Sequence, residues 1–290
     1  MSLITLKDIL RGAQLNNYGV GLFNFLNLEM LRGIVKAANE ERSPLILGVA
    51  EVHLPVIPLD WAVYMMQKVK DEIDVPICLH LDHGTSKDII FKAIHSGFTS
   101  VMYDGSALPY EENIANTKEI VAEAKKYRVS VEAELGHVGG AEGGGDDGHE
   151  ECYTNVEQVV DFVNRTEIDA LAVAIGTAHG KYVKKPILDL ERLKEIKKVC
   201  SIPLVLHGGS GLSDDDFRNT IKYGISKVNI CTDMCYAALN ATKKSENIET
   251  AIHSGVDAVS DVVKEKMRLF GSSGRVSSIG GGFKFQAYKF

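Results

Sequence analysis

The segment LHLDHGT, residues 79–85, places Asp82 beside His83 at the end of an apolar run. A buried strand rarely ends on a carboxylate next to an imidazole, because unpaired buried charge is costly. His179 in GTAHG and His207 in HGGSG also follow apolar runs. Three imidazoles with an open fourth position are a ligand set of catalytic zinc. The three histidines therefore predict a zinc site, although a single histidine is more often a core or loop residue without a metal.

Asp82 and His83 pose a geometric problem, since neighbouring residues on a strand face opposite sides. A local bend, eased by Gly84, must bring both side chains to the same rim. We therefore expect an irregularity in this strand.

Carboxylates and amides follow other apolar runs. Asp104 follows TSVMY, and Glu134 lies near the end of VSVEAEL, where either could bind a metal in an alternative position. Asn24 lies near the end of GVGLFNF, and Asn229 lies in KVNICTD. If the carboxyl ends of these runs meet at one rim, the polar side chains line a single site despite their separation in sequence.

Two segments on adjacent runs predict a phosphate site. HGGSGL contains Gly208, Gly209 and Ser210, where backbone N–H groups can approach an anion closely. NICTD, which we assign to the last strand, adds the hydroxyl group of Thr232 and further backbone donors. A plain turn is the alternative for the glycine segment.

A glycine-rich stretch, ELGHVGGAEGGGDDGHEEC at residues 134–152, follows the fifth run. Its composition and position predict an active-site lid that carries Glu142 to the substrate when it closes. The alternative is a solvent-exposed, disordered loop whose acidic residues only keep the protein soluble.

Eight short apolar or β-branched runs position these residues. In chain order they are GVGLFNF, PLILGVA, PICLHLD, TSVMYDG, VSVEAEL, ALAVAIG, PLVLHGG and KVNICTD. Amphipathic stretches with helical periodicity lie between them, for example LEMLRGIVKAANEER and ENIANTKEIVAEAKKYR. Near-continuous apolar strands that alternate with helices indicate a parallel sheet covered by helices. Because neither a linker nor a shift in composition divides the chain, the pattern predicts an α/β protein with a single (β/α)8 TIM barrel.

Two further helices and a tail complete the predicted organisation. A helix that begins after Thr5, with Asp8 three residues later, precedes the first run and caps the bottom of the barrel. An extra C-terminal helix follows the last unit. We divide the chain into a barrel domain, residues 1–275, and a glycine- and aromatic-rich tail, residues 276–290. The tail either packs on a neighbouring subunit or frays.

Composition places the protein in a broad class. The 290 residues are 45% hydrophobic and 24% charged, typical of an ordinary globular protein. The net charge is -7 and no basic block occurs, so nucleic-acid and membrane partners are not expected. The first residues lack the features of a signal peptide, and no segment approaches the ~20 apolar residues that span a bilayer. Five scattered cysteines without a CxxC pair favour a reduced, cytoplasmic protein.

The predicted groups together fit carbon–carbon bond cleavage. A Lewis-acidic metal, a nearby carboxylate and a phosphate cradle suit cleavage of a ketose phosphate through an enediolate. Lys181, the nearest candidate for a Schiff base, has polar surroundings that do not favour an amine nucleophile. A zinc hydrolase or deaminase is a second hypothesis, but it would usually have an HxH pair on one strand. A sugar-phosphate sensor that kept the fold without catalysis is the third.

Seven motifs occur in the same order as in a known family: FNFLNLEM, VPICLHLDHG, SVMYDGS, SVEAELGHVGG, GTAHGKY, PLVLHGGSG and KVNICTD. By these motifs the sequence resembles the class II, zinc-dependent ketose-bisphosphate aldolases, from about residue 5 to residue 275. The resemblance implies reversible cleavage of a ketose bisphosphate, such as fructose or tagatose 1,6-bisphosphate. The products would be dihydroxyacetone phosphate and glyceraldehyde 3-phosphate, as in glycolysis.

The resemblance also implies roles for the acids and histidines. Asp82 is the proton donor and acceptor at the hydroxyl group that becomes the aldehyde. Glu142 is the loop acid that moves the carbon-bound proton. The implied ligands of the catalytic zinc are His83, His179 and His207, and the implied ligands of a second or displaced divalent metal are Asp104 and Glu134.

The remaining implied contacts are to substrate. Asn24 contacts the substrate, and Asn229 takes part in catalysis as well as binding. The residues that match the dihydroxyacetone phosphate site are Gly180, Gly208, Gly209, Ser210, Asn229, Ile230, Cys231 and Thr232. Na⁺ or K⁺ often accompanies the phosphate in this family, and relatives are commonly homodimers or homotetramers.

Three departures from the family pattern concern the second phosphate. Ala50 in VAEVH occupies the place of a serine that contacts the far phosphate in relatives. Cys231 replaces the middle residue of NIDTD or NINTD. The segment ENIETAIHSG lacks the arginine of a DPRxYL-like motif, and Arg275 could supply the missing charge. The substrate is then either a ketose monophosphate or an unusual bisphosphate.

Overall fold

The computed structural model describes residues 3–140, 152–180, 182 and 185–276 of the chain. Eight parallel strands close into a barrel in sequence order, with the last strand hydrogen-bonded to the first. The strands are β1 Val20–Asn24, β2 Leu45–Ala50, β3 Ile77–Gly84, β4 Ser100–Tyr103, β5 Ser130–Leu135, β6 Ala170–Val173, β7 Leu204–Leu206 and β8 Ile225–Ile230. The predicted single (β/α)8 barrel is confirmed.

Helices follow the strands and cover the outside of the barrel. The described α-helices are α1 Leu6–Asn16, α2 Leu28–Glu41, α3 Leu59–Val69, α4 Lys87–Ser96, α5 Tyr110–Tyr127, α6 Val156–Thr166, α7 Leu190–Val199, α8 Asp214–Lys222, α9 Thr232–Thr242 and α10 Ile248–Phe270. A short 3₁₀ turn, Glu51–His53, lies between β2 and α3. The strands are buried on both faces, since side chains fill the interior and helices cover the exterior.

The helix before the first strand closes the bottom of the barrel, as predicted. The Thr5 hydroxyl oxygen caps α1 by accepting a hydrogen bond from the backbone N–H of Asp8 at 3.2 Å. Ile9 and Leu10 are fully buried. They belong to an apolar cluster with strand residues from around the barrel, which include Leu22, Ile46, Cys78, Met102 and Val205. This end of the barrel is therefore an apolar plug.

The extra C-terminal helix, α10, packs beside α2 and α9. Asn247 caps it by accepting a hydrogen bond from the backbone N–H of Thr250 at 2.9 Å. A Cβ atom on Gly33 of α2 would lie 2.6 Å from the carbonyl oxygen of Val256. The absence of a side chain at Gly33 thus allows the two helices to approach closely.

The strand ends differ from the sequence expectation in one functional detail. Thr232, which we expected on the last strand, is the first residue of α9, because β8 ends at Ile230 and Cys231 precedes the helix. The chain leaves the barrel at this point, although the sequence remains apolar through Cys231. Thr232 is therefore a helix N-terminal residue, not a strand residue.

Two expectations concern features beyond the barrel itself. Within the described ranges, no helix combines the length and apolar composition needed to cross a membrane. The division into residues 1–275 and 276–290 stays a prediction, and positions 277–290 of the tail lie outside the described residues.

Candidate active site

β3 contains the bend that the neighbouring Asp82 and His83 require. His83 has a left-handed backbone conformation with φ 45°, which is uncommon for a residue other than glycine. The pairing of β3 with β4 shifts register between Leu81 and Gly84. A Cβ atom on Gly84 would lie 2.6 Å from the carbonyl oxygen of Met102. The expected irregularity is confirmed, although the unusual φ falls on His83 and not on Gly84.

Asp82 is fully buried and held by two side-chain amides. Asn24 Nδ2 donates to its Oδ2 at 2.9 Å, and Asn229 Nδ2 donates to its Oδ1 at 2.9 Å. Burial raises the pKa of Asp82, but His83 and Lys227 outweigh burial and hold that pKa well below its usual value. The carboxyl group is therefore ionised and oriented, as a group that accepts a proton must be.

The amides that hold Asp82 also present acceptors to the site. Oδ1 of Asn24 and Oδ1 of Asn229 are buried and, within the described part of the chain, have no hydrogen-bond partner. A Cβ atom on Gly48 would lie 2.0 Å from Asn24 Oδ1, so the absence of a side chain at Gly48 leaves room for this amide. Both oxygens are available to hydroxyl groups of a substrate.

The three predicted metal ligands meet in the structure. His83, His179 and His207 each offer a ligand atom, and these atoms lie within 4.8 Å of one another. The ring centroid of His83 is 4.6 Å from that of His179 and 4.4 Å from that of His207. His83 Nε2 and His207 Nδ1 face each other at 2.7 Å.

Carboxylates fix the tautomers of two of these rings. His83 Nδ1 lies 2.8 Å from Asp104 Oδ2, and His207 Nε2 lies 2.9 Å from Glu132 Oε1. Burial raises the pKa of Asp104, but its hydrogen bond with His83 outweighs burial and lowers that pKa. An ionised carboxylate can only accept, so Nδ1 of His83 and Nε2 of His207 carry the protons.

His179 follows the same pattern. Its Nδ1 donates to the carbonyl oxygen of Gly140 at 3.0 Å, which leaves Nε2 as the ligand nitrogen. Two lone pairs that face each other at 2.7 Å, as in His83 and His207, repel each other unless both nitrogens bind a cation. Burial also lowers the pKa of His207, which favours the neutral ring that binds metals. The donor set therefore fits a divalent metal such as zinc.

Asp104 and Glu134 approach the same centre from the ends of β4 and β5. With His83 they form a second group whose ligand atoms lie within 4.8 Å of one another. Glu134 Oε1 accepts from the backbone N–H of Val138 at 2.9 Å, whereas Oε2 is buried and unpartnered as far as the structure is described. Burial, and then the charge of Asp104, raise the pKa of Glu134 well above its usual value. A cation here would relieve both, so the two acids fit the predicted second metal position.

A charged pair that was not predicted from the sequence lies one interior position closer to the bottom of the barrel. Lys227 Nζ is 3.0 Å from Oε1 and 2.9 Å from Oε2 of Glu132, and both residues are fully buried. Burial raises the pKa of Glu132, but Lys227 and His207 outweigh it and lower that pKa to about 2. The ionised Glu132 then holds the His207 tautomer. In the sequence, this pair was indicated by a lysine and a glutamate inside two apolar runs that predict buried strands.

His80 completes this buried layer. Its Nδ1 lies 2.8 Å from Ser100 Oγ, and its Nε2 lies 3.8 Å from Glu132 Oε2. Burial, and then Lys227, lower the pKa of His80 to about 3. His80 is therefore a neutral ring beside the charged pair.

The two predicted phosphate-binding segments lie side by side. Ser210 Oγ accepts hydrogen bonds from the backbone N–H groups of Cys231 and Asp233, each at 3.3 Å. A Cβ atom on Gly208, whose φ is 65°, would lie 2.5 Å from the carbonyl oxygen of Ala178. The loop after β7 thus meets the N-terminus of α9, where backbone N–H groups favour an anion.

The other predicted contacts of this region surround the same loops. Gly180 has a φ of 84°, and the neighbouring Tyr182 hydroxyl donates to the carbonyl oxygen of Gly208 at 2.7 Å. A Cβ atom on Gly209 would lie 2.8 Å from the carbonyl oxygen of Asn229. Ile230 is fully buried at the end of β8. The structure therefore brings the predicted phosphate residues together.

Of two further expected contributors, one is outside the described residues and the other lies elsewhere in the fold. Glu142 lies outside the described residues, so its role stays a prediction. Arg275 Nε donates to the carbonyl oxygen of Gly271 at 3.3 Å, and its guanidinium lies 5.4 Å from the ring centroid of Tyr18. Because Tyr18 precedes β1, Arg275 is at the bottom of the barrel. The suggestion that it supplies charge at the rim is wrong.

The fold and the site define an α/β-barrel enzyme with a cluster of histidines, able to hold a metal ion, at the carboxyl ends of its strands. The family model described as fructose-bisphosphate aldolase class-II matches residues 4–275. The chain belongs to the class II fructose-bisphosphate aldolase family, and its activity is that of an aldolase, a carbon–carbon lyase.

Relatives extend over nearly the whole chain. A protein of Bacillus licheniformis named 6-phospho-5-dehydro-2-deoxy-D-gluconate aldolase is 40% identical, covering 95% of this chain and 97% of its own. A protein of the same name from Halalkalibacterium halodurans is 39% identical, with coverages of 95% and 98%. The YdjI aldolase from Escherichia coli K12, which has a crystal structure, is 36% identical in sequence. The two structures align with a TM-score of 0.85 over 94% of this chain and 99% of the YdjI chain.

Proposed function

We propose that the protein is a zinc-dependent aldolase that reversibly cleaves a ketose phosphate into dihydroxyacetone phosphate and an aldehyde. The observation that carries the proposal is an ionised Asp82, held by two side-chain amides and next to His83 in β3, where His83 is one of three imidazoles that converge at the rim. A proton acceptor beside a Lewis-acid site is what cleavage next to a carbonyl group requires.

The residues divide the reaction between them. Zinc bound by the three histidines would supply Lewis acidity at the carbonyl oxygen of the substrate. Asp82 accepts the proton of the hydroxyl group on the carbon that becomes the aldehyde. As that proton leaves, the carbon–carbon bond breaks and its electron pair moves to the carbon beside the carbonyl group. Asp82 returns the proton in the condensation direction, and Glu142 exchanges the carbon-bound proton.

The dihydroxyacetone phosphate half is assigned to the loops after β6, β7 and β8. Backbone N–H groups of Gly208, Gly209 and Ser210 hold the phosphate together with the segment from Asn229 to Thr232, and Gly180 closes one side. Na⁺ or K⁺ would accompany the phosphate. Asp104 and Glu134 would hold a second divalent metal.

The candidate substrates are fructose 1,6-bisphosphate, tagatose 1,6-bisphosphate and a ketose monophosphate. The two named bacterial relatives act, by their names, on a sugar acid with one phosphate group. Ala50 and the arginine-free segment ENIETAIHSG remove two expected contacts to a second phosphate. These observations favour a substrate with a single phosphate group, on the dihydroxyacetone phosphate half.

Assembly and location are part of the proposal. As in relatives, the enzyme forms a homodimer or homotetramer in the cytoplasm and serves carbohydrate metabolism. The scattered cysteines, without a CxxC pair, support this location.

An Asp82→Asn variant of the zinc-loaded enzyme tests the assignment. The three substrates above are assayed for release of dihydroxyacetone phosphate, with and without EDTA, and bound zinc is measured by elemental analysis. We expect kcat to fall by about 10²- to 10⁴-fold, because the general base is lost while the shape is kept. Zinc content should stay at the wild-type level. Asp257→Asn, the same change on the exposed surface of α10, is the matched control.

Other results would contradict the proposal. Loss of zinc from the Asp82→Asn enzyme would make Asp82 a metal ligand. Activity that persists in EDTA, or trapping of the enzyme with substrate by borohydride, would indicate a lysine mechanism.

A further inference from the structure

His53 is a buried imidazole beside the active site, and one of its ring nitrogens lacks a hydrogen-bond partner in the described part of the chain. It ends the 3₁₀ turn that follows β2 and is 8% exposed. Its Nδ1 is buried and has no hydrogen-bond partner anywhere in the described ranges. Since buried polar atoms in folded proteins almost always have a partner, Nδ1 is available to a bound molecule.

Strand register places His53 next to the reacting groups. Ala50, the last residue of β2, is paired with Asp82 in the sheet, so the following turn stands at the rim beside Asp82. Burial lowers the pKa of His53, and the charge of Asp82 opposes that shift in part. The turn that carries the ring therefore stands at the same rim as the proton acceptor.

The turn that carries His53 is firmly held. The Glu51 carboxylate accepts hydrogen bonds from the backbone N–H groups of Thr85 at 2.7 Å and Ser86 at 3.1 Å. Thr85 directly follows β3, the strand of Asp82. Motion of the turn relative to the site is thereby limited, as a specificity contact requires.

The position of the turn indicates which part of a substrate His53 meets. The phosphate loops follow β7 and β8, whereas His53 follows β2, the neighbour of β3. A ketose phosphate held at its phosphate by those loops and at its reacting hydroxyl group by Asp82 extends its remaining carbons toward the β2 turn. We propose that His53 binds the aldehyde half of the substrate through a hydrogen bond to the hydroxyl group next to the aldehyde carbon, and so selects hydroxylated aldehydes. This inference rests on the proposed function.

The chemistry of the turn favours a hydroxyl group over a phosphate. Burial keeps the His53 ring neutral, with one nitrogen to donate and one to accept. The segment EVHLPVIPL, residues 51–59, contains neither lysine nor arginine to balance an anion. A neutral ring can bond a hydroxyl group in either sense, whereas a phosphate is best bound by cationic groups.

Condensation of dihydroxyacetone phosphate with matched aldehydes tests the inference. Glyceraldehyde and 3-hydroxypropanal differ only in the hydroxyl group beside the aldehyde carbon, so their ratio of kcat/KM isolates that contact. We expect the zinc-loaded wild type to prefer glyceraldehyde about ten- to hundredfold. His53→Leu should bring the ratio close to one. His53→Asn, whose amide reaches the position of Nδ1, should keep most of the preference.

Two further readouts separate this role from a structural one. Zinc content and the exchange of the carbon-bound proton of dihydroxyacetone phosphate with solvent need no aldehyde, so both should be unchanged in His53→Leu. His253→Leu, the same change at an exposed position of α10, is the control. If His53→Leu fails to fold, His53→Ala makes the same deletion without filling the space.

The possible failures are distinguishable. A wild type that neither exchanges this proton nor condenses any aldehyde overturns the proposed function. An active wild type that treats the two aldehydes alike, or a His53→Leu enzyme that keeps the preference, overturns only the role of His53. A His53→Leu enzyme that loses proton exchange, or that selectively loses glyceraldehyde 3-phosphate, also overturns it.

Discussion

The two ends of the barrel use the same eight strands but very different side chains. At the bottom, Ile9 and Leu10 of α1 pack against Leu22 and Ile46 in an apolar cluster. At the top, the interior changes to buried carboxylates, imidazoles, amides and a lysine, each within a few residues of that apolar layer along the strands. The side chains change from apolar to polar within about one pleat repeat of a strand, because every second residue faces the interior.

The comparison shows how one scaffold separates stability from chemistry. Apolar burial at the bottom stabilises the fold without any constraint on hydrogen bonding. Each charged group at the top is stable in the interior only because another group balances it, as Lys227 balances Glu132. Substitutions at the two ends should therefore have different consequences.

The largest effect is expected from Lys227→Met. Removing the amine leaves the Glu132 carboxylate buried without its cation, which should reduce the free energy of unfolding by about 3–5 kcal/mol. Because Glu132 orients His207, zinc affinity should also fall by about 10- to 100-fold. Denaturant unfolding and competition with a zinc chelator measure the two quantities.

The matched control for this charge is Lys36→Met. Lys36 pairs with Asp257 on the exposed surface at 2.8 Å, where an ion pair contributes only about 0–1 kcal/mol. Equal losses in the two variants would show that the buried pair has no special role in the site.

A smaller and more selective effect is expected at the bottom, from Leu10→Ala. Leu10 is fully buried in the plug, and such a truncation costs about 2–5 kcal/mol through lost burial and a cavity. Zinc affinity and KM should stay at wild-type values, because Leu10 belongs to the apolar cluster at the bottom and not to the histidine cluster. Leu15→Ala in the same helix, at a position 71% exposed, should change the free energy of unfolding by less than about 0.5 kcal/mol. A change in zinc affinity in Leu10→Ala would show that the two ends are coupled.

A pH dependence of stability also originates at the top. Burial holds the pKa of His80 at about 3 in the folded protein, against 6.5 in an unfolded chain. Between these values the unfolded state binds the extra proton, so stability from this group is lost as the pH falls from about 6.5 toward about 3. In EDTA, the unfolding free energy of wild type should fall more steeply over this range than that of His80→Gln. Parallel curves would mean that His80 does not titrate on unfolding.

Much of the fold and the site could be predicted from sequence. The eight apolar runs and the helical periodicity between them specify alternating strands and helices, and chain length without a linker favours one closed barrel. Asp82, His83, His179 and His207 could be placed at one rim because each follows a run, whatever its distance along the chain. The bend at His83 followed from the requirement that neighbouring residues reach the same side.

Other features could not be predicted, because they depend on which side chains face each other across the barrel. Glu132 and Lys227 are 95 residues apart in sequence, and nothing local indicates that they pair. His53 looks like an ordinary loop histidine until the pairing of Ala50 with Asp82 places its turn at the site. The end of β8 before Thr232 was missed, since hydropathy does not mark where the chain leaves the barrel.

By itself, the sequence determined the repeating strand and helix pattern, the residues able to bind a metal, and the family to which they belong. Only the tertiary structure decided the partners of the buried polar atoms: the tautomers of the three clustered histidines, the ionised state of Asp82 and the unused nitrogen of His53. The physical reason is that apolar periodicity is a local property of the chain. Hydrogen bonds and charge balance in the interior are instead set by the register at which distant strands close the barrel.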